Sequence, residues 1–277
     1  MVMKKEIRNY LAFVEGTSME IVSLGRALEP TFWDHVRQDV PHYYFFAFDW
    51  KYNREDTEIL LALEEDRIDG MMLVYDERIV QLRGSNKAAE VLLEKLHLDK
   101  IEMQSPRKHR QLILKRYKPT LGQSREMILM VVHKGEEELH TKHPVFELDA
   151  VYGEKIAATM RDADPEYWGD VISERILEGM NKGANWSGIE VNENLVSIGM
   201  SRLTEWAGLV GVVATHEEHR NRGYATSIVS RLVEEILDGL PLAMIYVLAD
   251  NPPAIRAYKK VGFKPYKTYF FMRGESR

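Results

Sequence analysis

Between residues 224 and 237 the apolar positions step by three and one in alternation: Ala225, Ile228, Val229, Leu232, Val233, Ile236 and Leu237. That spacing draws one stripe of an α-helix, with Thr226, Ser230, Arg231, Glu234 and Glu235 on the other side. The helix starts near Gly223, after a polar turn. Ahead of the turn, "GLVGVVAT" (208–215) is a strand-length apolar run, and "LAMIYVLA" (242–249) is another behind the helix. "PPAIRAYKKV" (252–261) predicts a short helix and "KTYFFMR" (267–273) a last strand. Upstream, "VFEL" (145–148) reads as a strand. "DAVYGEKIAATMRD" (149–162) and "VISERILEGMNKG" (171–183) read as helices, the second stopped by Gly183. "WSGIEV" (186–191) and "LVSIGMSRL" (195–203) form a hairpin across Asn192-Glu193-Asn194.

The earlier part of the chain opens with helical material over 18–39, "SMEIVSLGRALEPTFWDHVRQD". Residues 57–84 then alternate as three strands with turns at Asp66-Arg67 and Asp76-Glu77. A helix over 85–96 has Ser85 as its cap; a strand (100–105), a basic helix (107–117) and a buried strand (127–132) follow. Both halves therefore run helices, hairpin, strand, Gly-led helix, strand, helix, strand, which suggests an internal duplication. The polar stretch "HKGEEELHTKHP" (133–144) reads as the linker, so domains are expected at 1–140 and 141–277.

Composition narrows the chemistry. A chain of 277 residues, 45% hydrophobic, can bury two cores. With 37 Lys and Arg against 43 Asp and Glu the net charge is −6, which argues against general nucleic-acid binding. No cysteine is present, so disulfides, thiolate nucleophiles and thiolate metal sites are excluded. "MVMKKEIRNY" lacks a signal-peptide core and no apolar run approaches the roughly 20 residues of a membrane span. A cytoplasmic protein with no membrane partner is the expectation.

The turn ahead of the amphipathic helix carries the chemistry. The first turn of a helix leaves backbone N–H groups without internal partners, and the macrodipole places positive charge there. Gly223 lets a bulky anion approach the backbone, and Arg220 and Arg222 add full charges. The residues suit a phosphate or pyrophosphate; a solvated basic turn with a conformationally required glycine is the other reading.

Two stretches resemble a known family. "THEEHRNRGYA" (215–225) holds Arg220-x-x-Gly223-x-Ala225, and "ADNPPAIRAYKKVGF" (249–263) holds Asn251, Ala254, Tyr258, Gly262 and Phe263. In this order, each after a strand, they resemble the two signatures of the GNAT superfamily of acyl-CoA-dependent N-acyltransferases. The resemblance implies an α+β (mixed α/β) fold of two GNAT-like domains, each a central, mostly antiparallel sheet flanked by helices. It implies a degenerate first domain, because "QLRGSNKAAE" around Gly84 lacks both signatures. It implies acetyl-CoA as co-substrate, without a metal. The backbone of Val213, Ala214 and Thr215 would pair with the pantetheine arm. Arg220 and the amides of Asn221, Arg222, Gly223, Tyr224, Ala225 and Thr226 would hold the pyrophosphate. Asn251 would contact the cofactor arm, and Tyr258 would protonate the leaving thiolate. The implied partner is a small-molecule or peptide amine acceptor, and the protein would be a monomer or homodimer.

Alternatives remain for individual residues. Asn251 precedes Pro252 and also reads as a plain helix cap; Tyr258 also reads as a core tyrosine. Tyr246 occupies the position where some family members carry a glutamate base, so Glu205, His216 and Glu190 are the candidate bases, although a solvated or structural side chain is the favoured reading of each. Tyr167 and Trp168 border the implied acceptor pocket or staple a helix. The six Lys and Arg residues of 107–118 form a solvated face or an RNA-binding one, and His133, His140 and His143 match no zinc spacing. Absence of turnover would leave a non-catalytic acyl-CoA-binding sensor as the other class of function.

Overall fold

The computed structural model describes residues 10–14, 17–120 and 124–277; residues 1–9, on which the signal-peptide reading rests, lie outside them. The chain folds as two compact units, Met1–Met127 with Thr268–Arg277, and Ile128–Lys267. The division falls ahead of the polar stretch 133–144, and the last ten residues return to the first unit.

The first unit orders its strands as β1 (Tyr10–Val14), β2 (Thr17–Ser23), β3 (Thr57–Glu64), β4 (Arg67–Tyr75), β5 (Ile79–Gly84), β6 (Lys100–Pro106) and the C-terminal strand (Lys264–Ser276). Neighbours are antiparallel except β5 and β6, which run parallel. A short β7 (Tyr117–Pro119) joins the C-terminal strand at Gly274–Ser276. The helices are α1 (Glu29–Arg37), α2 (Val40–Tyr52), α3 (Asn86–Glu94) and α4 (Arg110–Arg116). Ser85 caps α3 by accepting from Ala88 N at 3.0 Å. Glu65-Asp66 and Asp76-Glu77 both have positive φ, the twist that tight hairpins need; the first turn sits one residue earlier than expected.

Two elements depart from the sequence reading. Thr17–Ser23 is a strand, not the start of a helix: β-branched Ile21 and Val22 pair with Ala62 and Leu61 of β3. The helix starts only at Glu29, beyond Gly25 and with Pro30 in its first turn. α2 was not anticipated. Its sequence "VPHYYFFAFDWKY" is apolar on nearly every side, so it shows no stripe; Tyr44, Phe46, Ala47, Phe48 and Trp50 are all buried.

The second unit orders β8 (Arg125–His133), β13 (Leu242–Leu248), β12 (Gly208–Thr215), β11 (Asn194–Leu203), β10 (Ala184–Val191) and β9 (Phe146–Leu148). Its helices are α5 (Gly153–Ala163), α6 (Pro165–Trp168), α7 (Ser173–Asn181), α8 (Tyr224–Gly239) and α9 (Pro252–Lys260). The predicted stripe of α8 is the core of one face: Ile228, Val229, Leu232, Val233 and Ile236 are all 0% exposed. α8 lies close to the sheet because Gly199 and Gly208 lack side chains. A Cβ on Gly199 would stand 2.3 Å from Ile228 Cγ2, and one on Gly208 2.5 Å from Ile236 Cγ2. A second cluster holds Ile156 and Met160 of α5 and Ile176 of α7 with Trp186 and Ile198 of the sheet. The mixed, mostly antiparallel sheet flanked by helices is the fold class the sequence leads to.

Candidate active site

β12 and β13 pair in parallel only over Gly208–Val210 and Ala243–Ile245. On its other side β12 stays paired with β11 to Thr215, apart from a bulge: Val210 faces Ser201 and Val212 faces Met200, leaving Gly211 without a partner residue. From Gly211 onward the strand is thus bonded on one edge and released from β13 on the other. Backbone donors and acceptors of the expected residues Val213 and Thr215 lie in this wedge.

The wedge leads into the predicted cradle. After Thr215 come a 3-10 turn (Glu217–His219) and Asn221, which adopts φ +64°. Gly223, at φ +91°, caps α8 with no side-chain bond to the helix amides. Among the described residues, none of the amides of Asn221, Arg222, Gly223, Tyr224, Ala225 and Thr226 donates to a protein acceptor; Ser227 N, bonded to Gly223 O at 3.0 Å, is the first that does. Six bare amides at a helix N-terminus offer donors that an anion can accept from.

The arginines do more than add charge. Arg220 donates from Nη2 to Ala163 O (2.7 Å) and from Nε to Thr215 O (3.3 Å), tying the turn to the end of α5. Arg222 donates to Glu218 O at 3.1 Å. Two linker histidines also brace the site. His143 bonds Arg222 O through Nε2 at 2.9 Å and packs its ring 4.4 Å from that of Tyr224. The backbone N–H groups of His140 and His143 donate to the α8 hydroxyls of Ser230 and Ser227. Sequence reasoning left these histidines without a role, since nothing in 133–144 shows that the stretch lies along α8.

Asn251 caps α9, its Oδ1 accepting from Ala254 N at 3.2 Å, so the helix-cap reading describes that oxygen. Tyr258 is buried, 6.3 Å ring to ring from Phe263, and burial pushes its phenol above the ordinary tyrosine range. The candidate bases scatter. Glu205 lies in the turn before β12, and the eight residues of β12 put about 23 Å between that turn and the cradle. His216 has both ring nitrogens engaged: Nδ1 lies 2.6 Å from Asp162 Oδ2 and Nε2 3.3 Å from Thr159 Oγ1. Glu190 pairs with Lys155 at 3.3 Å. Tyr167 and Trp168 stack edge-to-face at 4.4 Å in α6. In the basic stretch 107–118, whose helical part is α4, Arg107 ahead of the helix pairs with Glu126 and Lys118 of β7 with Glu275, both at 2.8 Å.

Comparison with known proteins places this geometry. Residues 188–272 match the FR47-like protein family. A mycothiol acetyltransferase of Streptomyces bingchenggensis is 30% identical over 133 residues, which are 46% of this chain and 39% of the relative. The chain thus spans well under half of that relative's length. Among solved structures, a Drosophila protein superposes with a TM-score of 0.70 at 10% identity, over 91% of this chain and 98% of its own. A tandem GNAT protein of the clavulanic acid biosynthesis pathway gives 0.58 at 12% identity, over 93% and 98%. A GCN5-related N-acetyltransferase of Sphaerobacter thermophilus gives 0.56 at 14% identity, over 78% and 80%. The chain has the fold of these GNAT structures, and residues 188–272 of its second unit carry the FR47-like match. No helix among the described residues is long and apolar enough to cross a membrane.

Proposed function

We propose that the second unit binds acetyl-CoA and moves its acetyl group directly to an amine of a small molecule or peptide. The run of undonated amides from Asn221 to Thr226, beside the released edge of β12, is the observation that carries this reading. The amides hold the pyrophosphate, with Arg220 and Arg222 supplying charge from positions fixed by their bonds to loop carbonyls. Backbone groups of Val213, Ala214 and Thr215 line up the amide-bearing arm, and the side-chain NH2 of Asn251 is left to donate to it. The neutral amine nitrogen attacks the thioester carbonyl, the C–S bond breaks, Tyr258 delivers its proton to the departing sulfur, and the proton shed by the acylated nitrogen returns through water to the phenolate. Burial keeps that phenol protonated at neutral pH. No enzyme nucleophile is required. Placing amine beside thioester supplies most of the acceleration, up to about 7–11 kcal/mol in favourable cases. The engaged ring of His216 and the ion pair of Glu190 leave the amine to arrive neutral. The first unit, without the signatures, is a degenerate GNAT-like domain.

Gly223→Glu fills the cradle with a side chain and a negative charge. It abolishes acetyl-CoA binding by isothermal titration in a protein whose circular dichroism is unchanged; retained binding refutes the cradle. Release of free CoA thiol with a panel of amines separates transferase from sensor, since a sensor binds without release.

A further inference from the structure

In the first unit, β5 and β6 repeat the strand arrangement of β12 and β13. They pair in parallel for three residues, Ile79–Gln81 against Glu102–Gln104, as β12 and β13 do over Gly208–Val210 and Ala243–Ile245. Here too the pairing then stops. Pro106, at the end of β6, has no N–H to continue the ladder. A wedge like that of the second unit is expected beyond Gln81, yet a carbonyl of each strand at its mouth is taken. Arg83 Nη1 donates to Leu82 O on β5 at 3.0 Å and to Gln104 O on β6 at 3.1 Å. Nη2 donates to the side-chain oxygens of Gln81 (3.0 Å) and Gln104 (2.6 Å), and Nε to His42 O at 3.2 Å.

Those five bonds use all five donors of a guanidinium. The head lies 4.5 Å over the ring of Tyr269 and 5.9 Å from that of Phe46. The residue is 1% exposed. Every acceptor is neutral, which is an unusual setting for a buried cation, since burial normally demands a carboxylate partner. A complete set of hydrogen bonds and two aromatic faces replaces it. The helix that follows offers no cradle either: Ser85 occupies the position before α3 and takes Ala88 N on its own hydroxyl.

We infer that Arg83 is a built-in occupant of the first unit's strand wedge, cross-linking with its own donors the carbonyls between which the second unit leaves an open slot. The first unit is therefore a closed copy, and the chain takes up one acetyl-CoA. The stoichiometry rests on the function proposed for the second unit; the occupancy by Arg83 does not.

Chemical rescue tests the occupancy without any cofactor. Arg83→Ala is expected to melt several degrees below the parent and to regain most of that loss in millimolar ethylguanidinium, with no such gain for the parent or with tetramethylammonium. Should Arg83→Ala not fold, Arg83→Met keeps the stem between Phe46 and Tyr269 and is rescued by guanidinium itself. An Arg83→Met protein as stable as the parent, or indifferent to guanidinium, overturns the inference. Titration of the parent with acetyl-CoA is expected to give one site per chain, and two sites would also overturn it. No binding at all would refute the function proposed for the second unit and leave the rescue to decide the role of Arg83.

Discussion

His109 is fully buried in the first unit, where its Nε2 bonds Gly84 O at 3.1 Å and its Nδ1 has no partner among the described residues. A proton on Nδ1 would be a second charge without an acceptor, near Lys108 and Arg83. Burial first, and the repulsion of Lys108 next, push its pKa down from 6.5 to about 4. The unfolded chain therefore binds this proton at higher pH than the folded one, and stability is lost as pH falls from 6.5 toward 4. Integrating between those two values gives a loss of about 2 kcal/mol by pH 5 and about 3 kcal/mol by pH 4. Hydrogen exchange of the α3 and β5 amides reads the opening of the first unit by itself. Relative to intrinsic rates, opening should rise about 20-fold between pH 7 and pH 5 through this one group. His109→Phe keeps the ring, loses the bond to Gly84 at a cost of about 1 kcal/mol, and removes the titration. The two stability curves should then cross at about pH 6, leaving the variant the more stable by about 1 kcal/mol at pH 5. An identical pH dependence in parent and variant would show that the ring is protonated in the folded state and that the reasoning is wrong.

Three further outcomes follow from the second unit. Tyr258→Phe should lower kcat by about 10²–10⁴ with acetyl-CoA affinity little changed, and the parent's rate should show no fall from tyrosine ionisation below about pH 10, since burial raises that pKa; steady-state kinetics across pH measure both. Asn251→Ala should cost about 1 kcal/mol through the lost cap of α9, read by thermal unfolding, and also weaken acetyl-CoA binding. Gly199→Ala drives a methyl into Ile228 and Leu232 and should destabilise the unit by about 1–3 kcal/mol, measured by urea unfolding.

Periodicity reveals what has one wet face. The α8 stripe, the hairpin turns at Asp76-Glu77 and Asn192-Glu193, and the cap at Ser85 were all legible because exposed polar residues punctuate them. α2 was hidden because burial on nearly all sides erases the stripe, and β2 was misread because four closely spaced apolar residues, Met19, Ile21, Val22 and Leu24, fit either period at that length. At the candidate site, the two signatures mark the cradle and α9. They do not show that His143 braces the turn, that Asp162 and Thr159 occupy both sides of His216, or that Arg83 bridges β5 and β6, because those contacts join residues up to 79 positions apart. Polar side chains meeting across such separations leave no local pattern.

The return of Thr268–Arg277 to the first unit sets an order of assembly during synthesis. The C-terminal strand covers β6 from Lys100 to Pro106, and the 140 residues of Ile128–Lys267 must be translated before it exists. At about 5–20 residues per second that is a delay of roughly 7–28 s. Throughout it the nascent β6 border is unprotected, open to sticking to other chains or to chaperone capture. The half made first is thus the half finished last, and a premature stop that trims only the tail would injure the N-terminal portion while leaving the cradle intact.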